Sequence, residues 1–354
     1  MSASPVPSDL PSADRRRAAR HAEQALGTDR FHEPRRTDCP WCGSARLRTR
    51  LTARDLLQHK PGTFTLDVCR DCGHTFQNPR LTREGLAFYL RDLDGHRPDG
   101  ARQHRSAARA MLPHPEPESW LDIGTGRGEF PATAGELFPY TSFDGLDPTP
   151  LVLGAQADGH VEEAYRGRLT DPELRTALRG RYDVVSMLHH LEHTPDPREE
   201  LRAALAALRP GGRLLVETAD PTCAFAALLG GWWARHGQPR HLHLLPLSNV
   251  RAELESQGCA VDTADRHGAH VPHDLSAATS LALARILPDP DAPGRKTAPG
   301  ELRRGARTVL TGAAAPVLLT ATALDHALAP LLCRAGFSNT YRIIARKGAA
   351  PPGE

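Results

Sequence analysis

Residues 120–150 read WLDIGTGRGEFPATAGELFPYTSFDGLDPTP, and the parsing of this stretch decides the fold. Trp120, Leu121, Asp122 and Ile123 predict a short buried strand. It runs into Gly124-Thr125-Gly126-Arg127-Gly128, after which a helix can begin. A second apolar piece ends on an acid, Gly145-Leu146-Asp147. Strand, glycine turn, helix, strand and terminal acid form the first half of a nucleotide-binding βαβ unit. Glycines let the backbone approach a ligand closely, and an acid at that place can hold ribose hydroxyls. A dinucleotide fingerprint needs glycine at its first, third and sixth positions, but Glu129 stands at the sixth. A plain strand-to-helix turn is the competing reading of the loop taken alone.

The pattern continues downstream. Helices are expected over 151–156 and 172–178, with a weak third strand over 161–165 between them. Residues 183–187 read as an apolar fourth strand, followed by His189-His190-Leu191-Glu192-His193-Thr194-Pro195-Asp196-Pro197 and a helix over 198–208. Arg209-Pro210-Gly211-Gly212 then turns into a fifth strand at 213–217. A helix over 248–257 and a sixth strand over 259–265 follow.

Asp-x-Gly-x-Gly-x-Gly at 122–128, with Asp147 one βαβ step later, resembles motif I of the class I S-adenosylmethionine-dependent methyltransferases. The stretch from His189 to Pro197 resembles the post-strand motif of members related to ubiquinone-type O-methyltransferases. Arg209-Pro210-Gly211-Gly212 is similar to that family's Pro-Gly-Gly turn. The resemblance implies an α/β fold with a Rossmann-like seven-stranded sheet whose last strand is antiparallel. It implies S-adenosyl-L-methionine held by Asp122, Gly124, Thr125, Gly126, Gly128, Asp147, Pro148, Leu169, Met187 and Leu188. The family usually places an acid after the third strand, near the adenine. Arg168 stands there in this chain, leaving the Leu169 backbone or the Asp171 side chain to take over.

The cofactor would carry the reactive methyl, so the protein must align an acceptor and remove its proton. Histidine suits proton removal near neutral pH. His189 is the first candidate for the base, at the end of the fourth strand. His193 shares its face if the segment is helical. His241 and His243 would contribute from a lid spanning 230–243 that also carries Trp232 and Trp233.

Upstream lie Cys39-Pro40-Trp41-Cys42-Gly43 and Cys69-Arg70-Asp71-Cys72-Gly73-His74. Each pair is a knuckle whose tight turn aims two thiolates at one ion, and two knuckles give a tetrahedral structural zinc site at Cys39, Cys42, Cys69 and Cys72. His74 is expected beside the ligands. Cys223, Cys259 and Cys333 sit in apolar surroundings and read as buried thiols. The domain plan is a disordered arm over 1–36, a zinc ribbon with connecting helix over 37–95 and a methyltransferase core over 96–267. A helical insertion over 268–335, a last core strand over 336–348 and a tail over 349–354 complete it. Within the insertion, residues 308–324 hold no charge but are interrupted by Pro316. That is short and polar for a membrane span, so a buried helix pair or homodimer surface is expected.

Lys+Arg of 44 against Asp+Glu of 42 leaves no global field for nucleic acid, and DNA is not an expected partner. The N-terminus lacks the apolar run of a secretory signal, and the chain reads as cytoplasmic. The leading reading is methyl transfer to a small-molecule acceptor, on oxygen of a sugar, phenol or secondary metabolite. Carbon methylation of a nucleotide sugar stands close behind. The alternatives are an RNA methyltransferase gripping RNA through the ribbon, with Arg46, Arg48, Arg50 and Arg54 as its positive run, and a non-catalytic cofactor-binding scaffold.

Overall fold

A computed structural model of the chain describes residues 27–55, 58–90, 100–286 and 301–348. Eleven strands form two sheets among these residues. The chain first lays down β1 (Leu47–Ala53), β2 (Phe64–Cys69) and β3 (Thr75–Gln77). It then builds β4 (Ser119–Ile123), β5 (Ser142–Asp147), β6 (Ala164–Arg166), β7 (Tyr182–Leu188) and β8 (Leu208–Ala219). After β9 (His243–Leu244) come β10 (Ala260–Asp265) and β11 (Thr340–Arg346).

The large sheet has the order β10-β11-β8-β7-β4-β5-β6. β11 runs antiparallel to both β8 and β10, and the pairs from β8 through β6 are parallel. This is the expected seven-stranded sheet with its last strand reversed. From β4 the chain winds outward through β5 and β6, then returns to β7 on the other side. The reversal lies between β4 and β7, so the C-terminal ends of these strands flank a crevice where ligands bind in open α/β sheets.

Below that crevice the packing is aromatic. Trp120 is fully buried and meets Phe130, Phe138 and Phe143 at ring distances of 5.6, 5.5 and 5.4 Å. Its indole N–H donates to Ser186 Oγ at 2.9 Å, and Ser186 donates to Asp122 Oδ1 at 2.6 Å. Two neighbouring strands are thereby pinned in register just beneath the glycine loop.

The small sheet departs from the domain plan. Its order is β1-β2-β3-β9, so its fourth strand comes from the region assigned to the core. Cys39, Trp41, Cys69 and Phe76 share one apolar cluster with Leu121, Val185, Leu201 and Leu254. A ribbon this small cannot bury its own apolar face, so it borrows the core's. The arm also ends earlier than expected. Phe31 is buried and stacks on Phe88 at 4.7 Å, and Arg35 bonds Asp67 at 2.6 Å, so the chain is already tied to the ribbon from Phe31 onward. The expectation for residues 1–26 and for the tail from 349 lies outside the described residues.

The insertion forms the helices Asp274–Ile286 and Glu301–Leu332. Asp325 accepts the amides of Leu275 and Ser276 at 2.9 and 2.8 Å, closing the start of the first helix. Two expectations fail here. Pro316 does not interrupt the second helix, because the long helix on either side tolerates the single hydrogen bond a proline removes. The pair is also not buried within the chain: Val309 is 71% and Leu319 70% exposed, which overturns the buried pair and does not bear on the homodimer surface. The stretch Arg307–Phe337 is long and apolar enough, by length and composition, to cross a membrane.

Candidate active site and metal centre

The glycine loop closes over the end of β4. Gly124 has φ +78, and a Cβ there would lie 2.6 Å from His190 Nδ1, so both backbone and space demand glycine. Gly126 has φ +55 with open space where a Cβ would stand, which leaves bare backbone facing the crevice. Asp147, at the end of β5, accepts from Gly126 N at 3.1 Å through Oδ2 and from Thr149 N at 2.8 Å through Oδ1. Its carboxylate therefore points back across the mouth of the loop. An open backbone cradle beside a positioned carboxylate fits the expected nucleoside cofactor.

The other expected cofactor residues divide. Pro148 is exposed and Leu188 half-buried at strand ends, whereas Thr125, Leu169 and Met187 are buried. Asp122 is buried in the sheet rather than open to the crevice. Burial pushes its carboxyl up to about 7 despite the Ser186 and Thr125 hydroxyls. It braces the loop from below. Asp171 does not stand open to replace the missing acid, because its Oδ2 accepts from Arg168 N at 2.8 Å and closes its own turn.

His189 follows β7 with φ +54, a left-handed conformation rare outside glycine. Its amide donates to Glu217 O at 2.8 Å, anchoring that bend to β8. Nδ1 lies 2.9 Å from Glu192 Oε1, whose Oε2 accepts from Thr218 Oγ1 at 2.8 Å. Burial alone would raise Glu192, but its interaction with His189, first of all the hydrogen bond from Nδ1, outweighs burial and holds the carboxyl well below its usual range. Nδ1–H thus donates to a fixed carboxylate, and Nε2 is left as the acceptor. The Gln103 amide donates to that Nε2 at 2.5 Å and to Glu217 Oε2 at 3.2 Å. Sequence reasoning passed over Glu192, Gln103 and Glu217 as partners. Glu192 lay three residues from His189 and could have been paired with it; Gln103 sits on a helix with no motif.

The remaining histidines are placed differently from expectation. Leu191–His193 is a single 3₁₀ turn, so His193 does not share a helical face with His189. Its Nδ1 bonds Arg240 O at 3.2 Å, and its ring meets His241 at 4.9 Å. His241 is buried with Nδ1 on Arg235 O at 2.7 Å, and burial holds it well below the usual histidine range. Donor atoms of Glu192, His193 and His241 converge within 4.8 Å, a set that also suits a divalent metal. His243 lies in β9 and bonds His74 at 3.1 Å and Pro195 O at 3.1 Å, away from the crevice. The segment 230–243 is not a loose lid. Trp233 and Leu242 are buried, and Leu242 bridges Glu192 O and Gln77 N at 2.7 and 2.8 Å. It is held because it must close the small sheet; Gly231 and Trp232, the latter 42% exposed, face solvent.

The two knuckles converge. Cys39 and Cys72 Sγ lie 3.7 Å apart, Cys42 and Cys69 3.6 Å, and all four within 4.8 Å. Gly43 and Gly73 take positive φ after the second cysteine of each pair, as the knuckle requires. Burial pushes the Cys39 thiol up to about 11. Burial opposes ionisation of Cys69 too, but the amides of Cys72 and Asp71 outweigh it and bring that thiol down to about 7. His74 Nδ1 is 3.7 Å from Cys39 Sγ, beside the cluster. Cys223 and Cys259 are buried free thiols as expected, and Cys333 is half-buried.

A sequence profile described as a methyltransferase domain matches residues 94–264. The ubiquinone biosynthesis O-methyltransferase of Pseudomonas aeruginosa (strain LESB58) is 28% identical over 127 residues, covering 35% of this chain and 54% of that protein. The protein of the same name from Azotobacter vinelandii is 33% identical over 130 residues, with 35% and 54% covered. The chain therefore spans about half the length of these relatives. Among solved structures, geranyl diphosphate methyltransferase in complex with SAM is similar at a TM-score of 0.41 and 12% identity, over 75% of this chain and 91% of that one. Strand order, glycine loop and profile match agree, and residues 94–264 belong to the methyltransferase domain family, of the class I S-adenosylmethionine-dependent type.

Proposed function

We propose that the chain transfers a methyl group to a hydroxyl oxygen of a small molecule such as a sugar, a phenol or another metabolite. The observation that carries this reading is the buried His189–Glu192 pair at the end of β7, beside the glycine loop. When bound, S-adenosylmethionine supplies an electrophilic methyl group for in-line displacement. The backbone at Gly124, Gly126 and Gly128 would hold it, and Asp147 would take its ribose hydroxyls. His189 Nε2 receives the acceptor's proton while Glu192 keeps the ring oriented and stabilises its positive charge. The acceptor hydroxyl takes the place of the Gln103 amide at Nε2. His193 and His241 line the same pair from behind.

The four cysteines take zinc as a closed structural site, with no position left for chemistry. The RNA reading has less support. Arg46 bonds Asp71 at 2.7 Å and Arg50 reaches the carbonyls of Pro221 and Ala226 at 3.4 Å, so half of the positive run serves the fold.

His189→Ala is expected to lower turnover about a hundredfold or more while S-adenosylmethionine affinity stays within twofold. Turnover by radiolabelled methyl transfer and affinity by calorimetry separate the two. Unchanged turnover would remove His189 as the base, and no release of S-adenosylhomocysteine with any hydroxylated acceptor would favour the scaffold reading.

A further inference from the structure

The helix Glu301–Leu332 packs one face against the helix Asp274–Ile286 and leaves another open. Its inner face is set by half-buried Leu318 and buried Ala321 and Asp325, the last closing the start of the shorter helix. That start is tied to the core, since Asp274 accepts from Trp233 Nε1 at 2.9 Å and from Asn339 Nδ2 at 2.5 Å. The rotation of the long helix is therefore fixed, and so is the face it turns outward.

On that face Leu310, Val317, Leu324 and Leu331 stand seven residues apart, each between 45% and 67% exposed. Ala313, Thr320 and Ala327 follow three residues after the first three and are exposed as well. Steps of three and four keep side chains on one stripe, which runs about 32 Å from Leu310 to Leu331. Large residues fill one set of positions and small residues the other. A second copy turned end for end sets Leu310 against Ala327, Val317 against Thr320 and Leu324 against Ala313, all at one register, so that large meets small in every layer. Parallel copies would set leucine against leucine and alanine against alanine, with crowded layers alternating with gaps. A shallow hollow lined by Pro316, Val317, Thr320, Ala321 and Leu324 marks the middle of the stripe, where Val317 of the second copy would enter.

We propose that this stripe joins two copies of the chain as an antiparallel helix pair, about a twofold axis passing between Leu318 and Leu319. A lipid surface asks for a different helix. The side opposite the stripe carries Thr308, Thr322 and His326, all exposed, so the helix is not apolar all round. A helix lying in a lipid interface carries Lys and Arg along its polar face, and none occurs from 308 to 333. The pairing does not depend on methyl transfer: it would form whether or not the crevice turns over.

Sedimentation of the full chain over a roughly hundredfold range of concentration should show a monomer–dimer equilibrium. Leu324→Glu and Ala313→Arg, both at exposed positions, each set a charge against an apolar neighbour and should weaken the dimer about tenfold or more. Mixed in equal amounts, the two variants should recover a dimer of one copy each, because the new carboxylate and guanidinium face one another in the antiparallel register. In a parallel pair they would stand eleven residues, about 16 Å, apart. Zinc content, melting temperature and S-adenosylmethionine affinity report that each variant is folded. A monomer at every concentration, a dimer untouched by Leu324→Glu, or a mixture no tighter than its components would each overturn the proposal. A chain that stays monomeric and sediments with phosphatidylglycerol vesicles would overturn it too, and give the stripe to lipid.

Discussion

The cofactor crevice and the cysteine ribbon are built by opposite routes. The crevice is made of short contiguous pieces, the glycine loop, the end of β5 and the residues after β7, brought together by a sheet whose connections follow general rules. The ribbon also begins with two contiguous pieces, its knuckles. Its sheet is finished by β9, however, and its apolar face by the core. The difference teaches that a local motif names the ligand it can hold and says nothing about what the motif is joined to. Here the joint reaches the candidate site. His74, beside Cys39, bonds His243, and His243 bonds Pro195 O in the segment that carries Glu192 and His193.

The largest expected effect tests that joint. Cys69→Ser should abolish zinc binding, removing a contribution on the order of 10 kcal/mol to the ribbon's folding. If β9 belongs to the ribbon, amides of residues 242–244 should lose hydrogen-exchange protection along with those of 64–77. Protection retained at 242–244 would show that the core holds β9 without the metal, and the two regions would be separate after all.

The next effect lies under the crevice. Asp122 has its carboxyl raised to about 7 by burial, against 3.8 ordinarily. Between those values the folded chain holds a proton that the unfolded chain has released, so stability falls as pH rises through this window. Asp122→Asn still offers an oxygen to Ser186 but has no charge to bury. Its stability relative to wild type should be equal near pH 4 and higher by a few kcal/mol at pH 8. Denaturation by urea at both values measures this; a difference independent of pH would place the carboxylate in a more polar setting than its burial indicates.

Asp147→Ala comes third. Loss of the ribose contacts should weaken S-adenosylmethionine roughly tenfold to thirtyfold, about 2 kcal/mol, with zinc retained. Unchanged affinity by calorimetry would take the ribose away from β5.

What could be read from the chain follows the same division. Trp120–Asp147, the fourth strand and the Pro-Gly-Gly turn were legible because hydrophobic pattern, glycine positions and spacing act over a few residues. The knuckles were legible for the same reason. β9 was not, since two residues, His243 and Leu244, carry no pattern of their own, and a segment rich in glycine, tryptophan and histidine reads as a lid until its buried partners are seen. The Gln103–His189 contact depends on a helix-to-loop approach that no spacing rule encodes. Pro316 misled in the other direction: the rule that proline ends helices is an energetic preference of about 3 kcal/mol, and a long enough helix overrides it.

The smallest effect probes the seam between the two regions directly. Arg198, on the helix Pro197–Ala207 of the core, lies 4.5 Å from the ring centre of Trp41 in the first knuckle, and its side chain is 36% exposed. It also pairs with Glu253 at 2.9 Å. A half-exposed cation over an indole contributes about 0.5–1 kcal/mol, and the pair with Glu253, whose buried carboxylate keeps Arg202 at 3.7 Å, adds about 0.5 kcal/mol. Arg198→Ala should therefore cost about 1 kcal/mol, while Arg198→Lys, which keeps charge but loses the flat guanidinium, should cost less. A double-mutant cycle with Trp41→Leu isolates the ring contact from the Glu253 pair. Coupling of roughly 0.5–1 kcal/mol would assign the seam to the arginine–indole contact. Coupling near zero would leave the apolar cluster of Trp41, Leu201 and Leu254 as what fastens ribbon to core. In that case the metal centre reaches the candidate site chiefly through the His74–His243 bond and β9.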